Sequence, residues 1–238
     1  MSMLRRRAFF GSNAVSDPYF SNVSLLLSFN GANGSTSATD RSQVANAITF
    51  NGDAKISTSQ SKFGGSSLYL DGTDDFVTVG SSTAFDIGSG DWTFEAWVYL
   101  NTITGDHHIL SRYGSSALSP FVIHQFGSGL SFYASGNGSS WDLCSNVIIG
   151  ESLSTGTWYN IAIARVGASV RTFLNGTLKT TASISGAAMS SSADVLIGRA
   201  HSAAPSYFNG YVDEMRITKG VGRYTSTFTV QTSEFPAG

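Results

Sequence analysis

No stretch of this sequence holds the apolar period of an α-helix for three turns, whereas short runs alternating apolar with polar residues recur from end to end. The longest is Trp92–Leu100. In an extended strand, Trp92, Phe94, Ala96, Val98 and Leu100 lie on one face and Thr93, Glu95, Trp97 and Tyr99 on the other. Before it come Leu25–Phe29, Ala47–Phe50, Ser67–Leu70 and Phe76–Val79. After it come Ile109–Tyr113, Phe121–Phe126, Leu130–Ala134, Tyr159–Arg165, Val170–Leu174, Leu178–Thr181, Val195–Gly198 and Val212–Thr218. The breaks between them carry turn chemistry. Asn175-Gly176 joins VRTFL to TLKTT as a two-residue hairpin whose residues tolerate positive φ, and Asp71-Gly72, Gly127-Ser128-Gly129 and Val166-Gly167-Ala168 separate other pairs. Short strands with turns at this spacing predict an all-β sandwich or barrel.

Composition agrees with that reading and excludes several functions. Charged residues are only 13% of the 238, and Gly, Ser, Thr and Asn take their place, with 26 glycines against 4 prolines. The formal net charge of −2 gives no field to attract phosphate backbones, so no nucleic-acid role is expected. Cys144 is the only cysteine; it allows neither an intrachain disulfide nor a thiolate cluster and reads as a small buried hydrophobe. No apolar run reaches the roughly 18 residues that span a bilayer, so no membrane partner is expected. The opening MSMLRRRAFF begins like a signal peptide, but Gly11-Ser12-Asn13 ends its apolar part, and no secretory signal is predicted. Sequons at Asn22, Asn33, Asn137 and Asn175 match a pattern easily met in a chain rich in Asn-Gly turns. Residues 1–20, basic and closed by Asp17-Pro18, read as an N-terminal arm, and residues 21–238 as one β-sandwich domain.

Three stretches carry a family resemblance: FGGSSLYLDGTDDFVTVG with DWTFEAWVYL (63–80 and 91–100), TWYNIAIARVGASVRTFLNGTLKTT (157–181), and VLIGRA with FNGYVDEMRITKGVGRYTSTFT (195–229). In order and spacing they resemble the laminin-G/concanavalin A-like jelly rolls, which implies a two-sheet antiparallel jelly-roll sandwich. The opening DPYFSNVSLLLSFNG (17–31) is similar to the start of such domains in tailed-phage virion proteins. The resemblance implies a protein made in a bacterial host cytoplasm and assembled, as an oligomer, with capsid or tail subunits of a virion. The fold hosts lectins, adhesion modules and glucanases alike, so function has to be argued from residues.

Catalysis is not expected. Glucanases of this fold place acids in a Glu-x-Asp-x-x-Glu pattern on one strand, as a retaining carboxylate pair requires. Here the residues at that spacing from Glu95 are Trp97 and Leu100, and the adjacent Asp213-Glu214 would point to opposite faces of a strand. His107-His108 has no partner at finger or zincin spacing. The resemblance implies one structural calcium ion, with Asp213 supplying the carboxylate and backbone oxygens near Asn30 and Gly65 supplying others; the alternative is that Asp213 accepts backbone amides. Asp71, Asp74 and Asp75 form a second acidic cluster that reads first as a turn.

Two functions remain. In one, a non-catalytic virion structural or decoration protein docks on neighbouring subunits through an arm whose contacts are Arg5, Arg6, Arg7, Phe9 and Phe10. In the other, a carbohydrate-binding adhesion module stacks sugars on aromatic side chains flanked by polar groups. Its candidate residues are Trp141, Asp142, Tyr113, Tyr133, His124 and Tyr207, with His107, His108 and His201 as loop neighbours, whereas Phe94, Phe121, Trp158 and Phe173 are expected in the core.

Overall fold

The computed structural model describes residues 16–112, 118–200 and 206–238. It is a jelly-roll sandwich of two antiparallel sheets. Strands are numbered in chain order: β1 (Val23–Leu27), β2 (Ile48–Asn51), β3 (Lys55–Ser57), β4 (Ser67–Asp71), β5 (Phe76–Val79), β6 (Trp92–Leu100), β7 (Asp106–Ser111) and β8 (Phe121–Phe126). Next come β9 (Gly129–Ala134), β10 (Cys144–Gly150), β11 (Trp158–Val166), β12 (Ser169–Leu174), β13 (Thr177–Ser183), β14 (Val195–Ile197) and β15 (Asn209–Lys219). One sheet of eight strands runs β13-β12-β11-β6-β15-β4-β3, with β1 also on β15; the other, of seven, runs β10-β9-β8-β7-β14-β5-β2. Two strands, β3 and β10, come from segments where the alternation is too short or too polar to be read.

The core is built as the alternation of β6 predicts. Trp92, Phe94, Ala96, Val98 and Leu100 are buried between the sheets, where Phe94 meets Phe121 at 4.7 Å and Trp92 meets Phe132 at 5.4 Å between ring centroids. The opposite face of β6 is buried as well. Thr93, Glu95 and Trp97 are covered by the chain's own segments, with Phe63 edge-on to Trp97 at 6.0 Å and Lys62 Nζ over the same indole at 4.0 Å. Residues 221–238 complete the cover: Thr93 Oγ1 donates to the carbonyl of Val221 and accepts from the amide of Arg223, and Phe235 lies against the Arg216 guanidinium at 3.8 Å. Trp158, expected in the core, sits instead on this outer face, half-buried against Tyr99 at 5.5 Å, because β11 turns Ile161 and Ile163 inward. Phe173 is fully buried, but under Tyr224 and Phe228 on the same outer side.

The domain begins before the boundary expected at residue 21. Asp17 is buried and accepts from Arg216 Nη1 (3.0 Å) and from Arg223 Nη1 (3.0 Å) and Nη2 (2.7 Å). Arg216 also donates from Nε to Glu95 at 2.9 Å, and Tyr224 donates its hydroxyl to the same carboxylate. Burial alone would raise the Asp17 carboxyl, but the Arg223 hydrogen bond and the two guanidinium charges hold it below its ordinary value.

Candidate functional site

With one outer face covered, the other sheet presents the candidate surface. On β8, Phe121, Ile123 and Gln125 are buried, so Val122, His124 and Phe126 point outward. Cross-strand register places His108 of β7 opposite His124, and Val122 opposite Tyr133 of β9. Asp106, two residues before His108, lies on the same side of β7. Asp106, His108, Val122, His124, Tyr133 and Trp141 line an open cleft of about 200 Å³. Its rings form a continuous wall. His108 and His124 are 5.0 Å apart, His124 and Tyr133 5.7 Å, and Tyr133 and Trp141 5.4 Å, while Phe126, 71% exposed, stacks beside His124 at 6.4 Å.

The polar groups of the cleft are few. His124 Nε2 lies 2.6 Å from Asp106 Oδ1, and His108 Nδ1 lies 2.7 Å from the Ser206 hydroxyl. Burial, with the charge of His124 second, pulls the His108 imidazole down to a pKa of about 4, so it is neutral at neutral pH. Burial and the nearby Asp106 charge raise the Tyr133 phenol, which donates to Asn146 Oδ1 at 3.2 Å. Asp106 is the only carboxylate among the described lining residues. Glu95, the acid on the central strand, is tied into the ion-pair cluster under the opposite sheet.

Of the residues expected to bind a glycan, Trp141, Tyr133 and His124 come together here. Asp142 does not line the cleft: its Oδ1 accepts from the Gly136 amide at 2.9 Å, a bond that holds the carboxyl below its ordinary pKa and closes the loop carrying Trp141. Tyr207 sits at the margin, bridged to His108 along the backbone, with the Arg199 guanidinium over both its ring and that of Phe76. Tyr113, His201 and the arm residues Arg5, Arg6, Arg7, Phe9 and Phe10 lie outside the described residues. Asp106 was not singled out in the sequence. The signal that finds it is register, since nothing local joins it to a histidine 18 positions away.

The calcium ligand set does not fit. Asp213 Oδ2 accepts from the amides of Lys62 (2.8 Å) and Phe63 (3.1 Å), and Oδ1 from Glu214 (2.9 Å). Three N–H dipoles converge where a cation would have to stand, the arrangement expected of a carboxylate that orders backbone. The Asn30 side chain donates to Glu234 at 2.8 Å. In the second acidic cluster, Asp75 likewise accepts the amides of Asp53 (2.5 Å) and Asp71 (3.0 Å).

Comparison with known proteins agrees with the jelly-roll fold. The sequence model of the Concanavalin A-like lectin/glucanases superfamily matches residues 71–221. The chain belongs to this superfamily. Among solved structures it is similar to the binding domain of Paraclostridial Mosquitocidal Protein 1, with a TM-score of 0.64 and 11% identity over 84% of this chain and 49% of that one. It is similar also to the botulinum neurotoxin serotype D binding domain (TM-score 0.65, 12% identity, 85% and 49%). A third is the botulinum neurotoxin type G receptor binding domain (TM-score 0.57, 17% identity, 83% and 48%). The superfamily member described here thus spans about half the length of these structures, and at such identities the likeness is one of fold. No curated protein matches the sequence.

Proposed function

We propose that this protein is a non-catalytic carbohydrate-binding module whose site is the cleft between Asp106 and Trp141. The observation that carries the reading is the pairing of Tyr133 and Trp141 rings beside the hydrogen-bonding pair Asp106–His124, on the sheet face that the described residues leave open. A sugar ring has an apolar face that an aromatic side chain can take and hydroxyls that a carboxylate and an imidazole can bind. The cleft is smaller than the roughly 300–1,000 Å³ of a drug-sized pocket, which suits one sugar ring seated on an open platform. Hydrolysis by a carboxylate pair needs a second acid, and the described lining offers Asp106 alone.

The similar solved structures support binding as the general role, since they are binding and receptor-binding domains. Display on a virion is compatible with the same reading. Residues 17–31, which resemble virion domains, run into β1 of the eight-stranded sheet, whereas the cleft lies on the other, so attachment through the N-terminal side leaves the cleft free.

A glycan array with the purified chain tests the proposal. At least one glycan class is expected to bind, and Trp141→Ala and Tyr133→Ala should each weaken it about tenfold, or about 1.4 kcal/mol. No binding by the unaltered chain, or binding indifferent to both substitutions, would overturn it.

A further inference from the structure

We propose that Asp106, His108 and His124 form a binding site for a first-row divalent transition-metal ion of the zinc class. One ligand atom from each of the three lies within 4.8 Å of the others. The trio stands on strands: His108 and His124 are register partners across the β7–β8 pair, and Asp106 is two residues from His108 on the same strand face. A set built on paired strands is held more rigidly than one on loops.

The donor chemistry selects the ion. Two imidazoles and one carboxylate suit zinc and its first-row neighbours, whereas calcium and magnesium take oxygen ligands throughout. Zinc bonds of about 2.0–2.2 Å in a tetrahedron set neighbouring ligand atoms roughly 3.4 Å apart. The His124 Nε2–Asp106 Oδ1 contact of 2.6 Å would open to admit the ion, and the His108 Nδ1–Asp106 Oδ1 separation of 4.0 Å would close. Both adjustments fall mainly on Asp106, whose side chain is 56% exposed at the first position of β7. Without metal, the hydrogen bond between His124 and Asp106 fills the same gap.

His108 Nδ1, the nitrogen that faces Asp106, would exchange its 2.7 Å contact with the Ser206 hydroxyl for the ion. His107 is not a competing ligand, because its two ring nitrogens face the carbonyls of Tyr207 (2.5 Å) and Thr104 (2.8 Å). Three protein ligands leave a fourth position for water or a hydroxyl of a bound molecule. The site does not depend on the glycan reading, since the metal alone is the probe.

Titration calorimetry of the chelator-treated full chain with zinc chloride, and separately with calcium chloride, tests the inference. One equivalent of zinc should bind and calcium should not. His108→Ala and His124→Ala should each lower zinc affinity at least tenfold, while His107→Ala keeps it. The cobalt-loaded chain should show the visible bands of a tetrahedral site, absent in the double variant. Circular dichroism confirms that the variants are folded. Absence of zinc binding, or a stoichiometric site that survives in the folded double variant, would sink the proposal. The glycan array repeated with and without zinc keeps the two claims separate: failure on the array leaves the titration standing, and failure of the titration leaves the array standing.

Discussion

The acids of β15 show how burial decides what a carboxyl can do. Asp213 and Glu214 sit at a bulge, since the three steps from Asp213 to Arg216 face the two from Trp97 to Glu95, and Glu214 adopts a φ of 48°. The irregularity marks the point where the far edge of β15 changes partner, from β4 at residues 209–212 to β1 at 215–218. Burial pushes both carboxyls up to about 7. Glu214 accepts from the Phe235 amide at 2.6 Å through Oε2, while Oε1 is buried without a partner among the described residues. Its ordinary value is 4.5, so between about pH 4.5 and 7 the native chain holds a proton that the unfolded chain has released. Stability therefore falls as the pH rises through that window. Glu214→Gln should remove this share, on the order of 1–3 kcal/mol. Urea unfolding at pH 5 and pH 8 would show it as a smaller loss in the variant than in the parent chain; equal losses would mean that Glu214 ionises as an exposed acid does.

Turns were the most legible elements in the sequence, and register the least. Asn175 and Gly176 do adopt positive φ, 50° and 75°, as a type I′ hairpin demands. Their neighbourhood could not be read: a Cβ on Gly176 would stand 2.2 Å from the Phe228 carbonyl, because residues 225–230 pass directly over the turn. Gly167 offers the comparison, with φ 58° and open space around its missing Cβ. Gly167→Ala should lose only the conformational share, about 1 kcal/mol, and Gly176→Ala distinctly more, about 2–4 kcal/mol. Chemical denaturation of the pair checks this, and equal losses would show that the overlying segment yields freely. Strand β10 escaped the alternation because CSNVIIG opens polar and carries a bulge at Asn146, whose φ is 51°. The cleft was half legible for the same reason. Trp141, Tyr133 and His124 are conspicuous by type, but the partnership of Asp106 and His108 with His124 exists only across a strand pair.

At the scale of the molecule, the two outer faces have been given different work. Over the eight-stranded sheet, Phe228 stacks on Tyr224 at 3.6 Å between centroids above Phe173, and Phe235 packs with Val23 and Leu26. The same cover encloses Glu95, Arg216, Arg223 and Asp17, an ion-pair cluster whose desolvation is compensated only while every member keeps its partners. Over the seven-stranded sheet no such segment passes among the described residues, and His124, Tyr133 and Phe126 meet solvent at the cleft. Removing residues 225–238 should therefore separate stability from binding. The loss of Phe228 and Phe235 contacts alone is worth on the order of 3 kcal/mol or more, and hydration of the Arg216 cluster adds to it. The shortened chain should melt well below the parent and bind a hydrophobic dye, yet at temperatures where it stays folded its cleft should take zinc or glycan as the full chain does. A shortened chain that melts with the parent would show that the segment covers without stabilising. One that is folded but has lost binding would mean that the two faces are coupled through the core, because no residue of the segment touches the cleft.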